Sequence, residues 1–302
     1  MLSSQDQKNL RKDNHAISPA ISTVIMTAAL VVLVFVALSF ADTSLTTQLA
    51  GDEFNANKQF MQSTGQQIDN VAWTIGRTET VDYTAKYGQV AFEKENLTGG
   101  IEKLTEGLDY AIEIYNGNSW QTVFNSTTGV IVFNMPVSDY NIGNNCFSRI
   151  IPVDSGSFLQ WNASAPVCQI FTRQVAPMND GSFSRIVAVP TVRALNSTLN
   201  TANGNLNCYT FYLPLLNDTS NPYLSQSVTL IGANLTNLNY LTPNGVNNCQ
   251  VRIDATAIDN TSTGFNNAFF NFPSTSETTS IPSNSMIEIY IGTVDVSIGM
   301  AS

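Results

Sequence analysis

The side chains that most often do chemistry are few and scattered in this chain. Its one histidine, His15, lies in a polar stretch near the amino terminus with Lys8, Arg11 and Lys12. Histidine is the commonest general base, but no Gly-x-Ser-x-Gly, His-Glu-x-x-His, Walker loop or Gly-x-Gly-x-x-Gly accompanies it. Carboxylates neighbour one another at Asp52-Glu53 and at Glu93 and Glu95, and they read as solvated charge. Asp254, Asp259 and Asn260, and separately Asn217-Asp218, offer oxygens of the kind calcium takes. Neither spacing is that of a calcium loop, and both read as polar turns. Cys146, Cys168, Cys208 and Cys249 are widely spaced, with no Cys-x-x-Cys pair and the histidine far away, so zinc is not expected. An even set in the distal part of the chain points to two disulfides with three possible pairings, or else to four buried thiols. Trp73 and Trp120 read as core residues, and Trp161 has no clear place. No catalytic set emerges, and neither an enzyme nor a cofactor is expected.

Composition narrows the partners. Charged residues make up 12% of the chain, and 23 acidic against 13 basic side chains give a net charge of -10. Nucleic acid would call for a basic patch, so it is not an expected partner. The last lysine is Lys103, and beyond it only Arg149, Arg173, Arg185, Arg193 and Arg252 are basic. Water solubility there must come from Asn, Ser, Thr, Gly and carboxylates, or from attached sugar. Seven Asn-x-Ser/Thr sequons begin at Asn96, Asn125, Asn162, Asn196, Asn217, Asn234 and Asn260. All follow the long apolar segment, as an exported glycoprotein requires.

That segment is residues 17–41, without one charge. At about 1.5 Å per residue its helix is about 37 Å long, enough to cross a hydrocarbon core of about 30 Å. The basic leader stays inside, which places everything after Asp42 outside. Ser18 and Pro19 mark the helix start, and the hydroxyls of Ser22, Thr23 and Thr27 can return to carbonyls of the previous turn. Leu45, Leu49, Ala56, Phe60, Thr64, Ile68, Val71 and Ile75 then trace one helical face. Gly51 and Gly65 weaken the run, residues 42–44 form a hinge, and Gly76 stops it. The expectation is one long helix to Ile75.

After Gly76 the pattern turns to strands. Residues 81–87 and 89–93 around Gly88 read as one hairpin, and 110–115 with 120–124 around Asn116-Gly117 as a stronger one. Further strands are expected at 130–133, 169–173, 184–189, 209–213, 227–231, 250–255, 286–291 and 294–298. The fold class is α+β, a long hydrophobic helix followed by an all-β, sandwich-like head. The divisions are 1–16, a leader; 17–76, the helix; and 77–302, the head, with two subdomains split near 153–157.

Residues 16–25, Ala-Ile-Ser-Pro-Ala-Ile-Ser-Thr-Val-Ile, resemble the processing region of archaeal type IV pilins, with their class III signal peptide. The resemblance covers about a tenth of the chain plus the layout of leader, helix and β head. It implies that a prepilin peptidase cuts between Ala16 and Ile17. Asp13-Asn14-His15 separates Lys12 from this bond, whereas a Lys or Arg usually sits close to the cut in the family. Ile21 stands where bacterial relatives carry a glutamate, which archaeal members commonly lack. The resemblance further implies a membrane-inserted precursor and a helical homopolymer on the cell surface. Ile17, Pro19, Ile21, Val24, Ile25, Leu30, Leu33, Phe35, Leu38 and Phe40 would line the packed helices. An assembly ATPase and a membrane platform protein are the other implied partners, with adhesion the expected role. The alternative is an uncleaved single-pass anchor bearing a β-rich binding ectodomain.

Overall fold

Helix α1 spans Ser4–Ala72. The computed structural model describes residues 4–92, 95–96, 102–103, 107–175, 183–201, 204–219, 225–242, 249–258 and 266–299, with side chains from residue 21 onward except at 95–96, 102–103 and 201. The helix starts at Ser4 instead of Ser18, and Pro19 lies inside it. No hinge forms at 42–44. Thr43 donates its hydroxyl to the Ser39 carbonyl at 2.9 Å, and Thr46 and Thr47 reach the carbonyls of Asp42 and Thr43 at 3.0 Å. Hydroxyls used in this way are not free to compete with the helix. Thr27 behaves as expected, donating to the Thr23 carbonyl at 2.6 Å.

Two compact units divide the chain, residues 1–50 and residues 51–302. The second unit thus takes in residues 51–76 together with 77–302, and 153–157 lies inside it. The reason is the stripe Phe54, Asn57, Met61, Thr64, Ile68, Val71 and Ala72, all buried at helical spacing. Phe60 is buried beside it, while Ala56 is exposed. The helix ends at Ala72, with Thr74 N–H on the Val71 carbonyl and Gly76 at φ 79°. Ile75 falls past this end and is exposed.

The strands of the second unit are β1 (Thr78–Asp82), β2 (Gln89–Phe92), β3 (Glu95–Asn96), β4 (Glu102–Lys103), β5 (Gly107–Asn116), β6 (Trp120–Gly129), β7 (Ile131–Pro136), β8 (Phe147–Ile151) and β9 (Leu159–Trp161). There follow β10 (Cys168–Gln174), β11 (Phe183–Pro190), β12 (Val192–Thr201), β13 (Gly204–Asp218), β14 (Ser227–Leu241), β15 (Cys249–Ala257), the short helix α2 (Asn267–Phe270), β16 (Ser276–Ile281) and β17 (Ser285–Ile298). They form a six-stranded sheet in the order β1-β14-β17-β13-β12-β9, a five-stranded sheet β2-β7-β11-β10-β8, a four-stranded sheet β16-β15-β5-β6 and the pair β3-β4. The β13–β17 and β12–β9 pairs are parallel. One core joins the three larger sheets: Ile112 and Val251 from the four-stranded sheet meet Val132 and Phe171 from the five-stranded and Phe211 and Ile289 from the six-stranded.

The expected hairpin at 110–124 forms. Gly117 takes φ 91°, and the Asn116 side-chain oxygen accepts the N–H groups of Asn118 and Ser119. The hairpin expected around Gly88 does not. β1 pairs with β14 and β2 with β7, in different sheets. The two strands expected at 286–298 are one, β17.

Candidate assembly surface

In the first unit, residues 21–49 are exposed without exception. Val24, Ile25, Leu30, Leu33, Phe35, Leu38 and Phe40 all face outward, with Phe35 at 68% and Phe40 at 73%. The helix is long and apolar enough to cross a membrane. Its backbone polar groups are satisfied internally, as any apolar surroundings require. An apolar surface on every side asks for cover, from lipid or from other apolar helices. Ala16, Ile17 and Pro19 lie in α1, and their side chains fall outside the described residues.

Within the second unit, residues 51–72 are seated by polar and aromatic contacts that sequence did not reveal. Glu53, expected to be solvated charge, accepts three backbone N–H groups. Lys86 donates at 3.0 Å, Tyr87 at 3.1 Å and Gly88 at 3.0 Å. This carboxylate holds 86–88 in a loop where a hairpin turn was expected. Phe54 packs on Tyr140 and Phe133, with ring centres 5.1 and 6.2 Å apart, and Phe60 packs on Tyr83 at 5.2 Å. Asn57 donates to the Thr84 carbonyl at 2.9 Å. Asp69 accepts from both terminal guanidinium nitrogens of Arg193, at 2.8 and 3.1 Å, and from the Trp73 indole N–H at 2.7 Å. Arg193 lies over the Tyr212 ring, and Tyr212 stacks on Tyr290. Trp73 is thus a half-buried donor on this cluster and not a closed core residue.

Glycines set how closely sheets approach the helix. A Cβ at Gly292 of β17 would collide with the Ala72 carbonyl, and one at Gly232 of β14 with the carbonyls of Thr74 and Val71. Gly65, expected to weaken the helix, faces Ile170 of β10, which a Cβ would meet at 2.9 Å.

The cysteines are four free thiols, so the two expected disulfides are not formed. They sit on separate elements: Cys168 in the five-stranded sheet, Cys208 in the six-stranded, Cys249 in the four-stranded, and Cys146 in the turn before β8. In register, Cys208 lies opposite Ser197 and Met286, and Cys249 opposite Asn116 and Ile281. Burial pushes the thiols of Cys168, Cys208 and Cys249 up, favouring the neutral, unreactive form. Cys168 helps line a groove of about 480 Å³ with Gln62, Gln66, Asp69, Ser164 and Ile170.

Trp120 is 36% exposed, with Arg252 over its ring at 4.4 Å, where a core residue was expected. Arg252 also pairs with Glu113 and lies 3.6 Å from Asp254, a residue expected in a polar turn. Trp161 is exposed at the end of β9, edge-on to Phe211. Among the described residues no three His, Cys, Asp or Glu cluster as a metal site would need. The sequon residues Asn125, Asn162, Asn196, Asn217 and Asn234 are all exposed. Asn260 and the side chain of Asn96 lie outside the described residues, as does Asp259. Comparison with known protein families, with curated proteins and with solved structures finds no match.

Proposed function

We propose that this chain is the structural subunit of an extracellular filament of the archaeal type IV pilus kind, processed before Ile17 and polymerised through its N-terminal helix. The observation that carries the reading is the uncovered apolar surface of residues 21–49. Burying one Leu, Ile, Val or Phe side chain contributes about 1.5–3 kcal/mol. A dozen or so such side chains outweigh the entropy lost on association. The strand-rich unit carries a core of its own, which suits a sandwich-like head displayed in water for adhesion. Lipid covers the helix of the precursor, and copies of the same helix cover it once the basic leader is gone. The peptidase, assembly ATPase and membrane platform follow from the resemblance of residues 16–25 to pilins.

The test is the amino terminus of the surface-exposed form, read by peptide sequencing, together with electron microscopy of sheared filaments and mass spectrometry of their subunits. A start at or within a few residues of Ile17, in filament-bound chain, is the expected result. An intact leader on the surface form overturns the filament and leaves a single-pass anchor with a β-rich ectodomain.

A further inference from the structure

The six-stranded sheet has two strands covered along only part of their length. β1 pairs with residues 227–231 of β14, and among the described residues no strand lies beside 234–241 on that side. β9 pairs with residues 192–194 of β12, and 195–201 are open in the same way. Residues 196–200 are exposed, as are Asn234, Thr236, Asn237 and Asn239. An open strand edge is a template for pairing with another chain, and proteins blunt such edges with lysine, other charges, proline or bulges. Neither half-edge holds a charged residue or a proline. They read Leu-Asn-Ser-Thr-Leu-Asn-Thr and Asn-Leu-Thr-Asn-Leu-Asn-Tyr-Leu. The register shift at Gly232/Asn234 lies at the start of the second.

What each half-edge does carry is a sequon, Asn196-Ser197-Thr198 on β12 and Asn234-Leu235-Thr236 on β14. The pattern extends further. Asn125 lies on β6, the outer strand of the four-stranded sheet, and Asn162 directly follows β9, the outer strand of the six-stranded sheet. Four of the five sequons with described side chains therefore fall on or beside an outermost strand or open half-edge, with Asn217 of β13 the exception.

We propose that Asn196 and Asn234 carry N-linked sugar, and that this sugar shields the two half-edges from strands of other copies. The transfer takes its sugar from a lipid phosphate or diphosphate donor. The asparagine amide nitrogen bonds to the anomeric carbon, the carbon–oxygen bond to phosphate breaks, and the lipid phosphate leaves with the electron pair. One amide proton goes to solvent, and nothing is oxidised or reduced. Strands pair at about 4.8 Å, closer than a sugar on the edge strand lets another backbone come. The inference rests on the filament reading only for export of the head.

The test uses full-length chain from its own cells, solubilised in detergent. Glycopeptide mass spectrometry should find added sugar at both asparagines, and bare peptides at both overturn the proposal. Thr198→Ala with Thr236→Ala removes both sequons and should at least double the mass in light scattering. Thr198→Ser with Thr236→Ser keeps the sequons, and Asn196→Lys with Asn234→Lys replaces sugar by charge; both pairs should stay at the parental mass. An alanine pair that loses its sugar yet keeps the parental mass overturns the shielding, as does a lysine pair that associates. The amino-terminal sequence of the same sample reports separately on the filament reading.

Discussion

Replacing Glu53 by alanine removes the acceptor that holds residues 86–88 to the helix. A hydrogen bond to a charged acceptor contributes about 1.5–3 kcal/mol, and Glu53 receives three. Lys86 is exposed, so water replaces its lost partner at little cost, whereas Tyr87 and Gly88 are half-buried. Counting those two at roughly half weight gives a loss of about 1.5–3 kcal/mol. For a unit of this size each kcal/mol moves the melting temperature by about 2–4 °C, so the expected drop is about 3–12 °C. Glu53→Gln keeps an oxygen acceptor without the charge and should lose about half as much. Circular dichroism melts of the full chain in detergent give the shift. Hydrogen exchange at the amides of 86–88 should quicken in the alanine variant and change less in the glutamine one. An alanine variant melting within about 1 °C of the parent, with unchanged exchange at 86–88, refutes the clamp; by the scaling above, that is under about 0.5 kcal/mol.

One further substitution and one change of condition bear on the same unit. Gly292→Ala drives a methyl into the Ala72 carbonyl and should destabilise by about 3 kcal/mol, the upper range for overpacking, as read from the melting temperature. Alkaline pH should also weaken the fold. Burial raises the pKa of Cys168, Cys208, Cys249, Tyr83, Tyr110 and Tyr212 above their unfolded values, so stability is full below the unfolded values and is lost as pH rises. With unfolded thiols ionising at about 8.5 and phenols at about 10, the melting temperature should fall from about pH 8.5 upward. A melting temperature flat to pH 11 would contradict the burial of these groups.

The parts of the fold legible in the sequence were those written in local pattern. The uncharged run 17–41 announces an exposed apolar helix, and Asn116-Gly117 announces a turn with positive φ. Phe60, Thr64, Ile68 and Val71 keep the helical spacing, but Phe54 and Met61, which complete the stripe, went unread. Gly88 misled because a glycine marks close approach as readily as a turn. A Cβ there would strike Phe133 and the Asn134 carbonyl. β14 is legible only to Ile231, since 234–241 is rich in Asn and lacks clean alternation, yet hydrogen bonds to β17 carry it to Leu241. The roles of Glu53 and Asp69 depend on partners more than thirty and more than a hundred residues away in sequence. No local spacing encodes such pairs.

Residues 51–72 would bear a tensile load in parallel. A pull along this stretch of α1 meets no loop that can pay out, because the helix is unbroken to Ala72. It loads the Glu53 clamp, the rings packed on Phe54 and Phe60, and the Asp69–Arg193 pair together. These contacts must slip at once, in shear, and the interlocked packing around Gly65, Gly232 and Gly292 resists that slip along the whole segment. Contacts arranged in this way yield as a block and do not peel from one end.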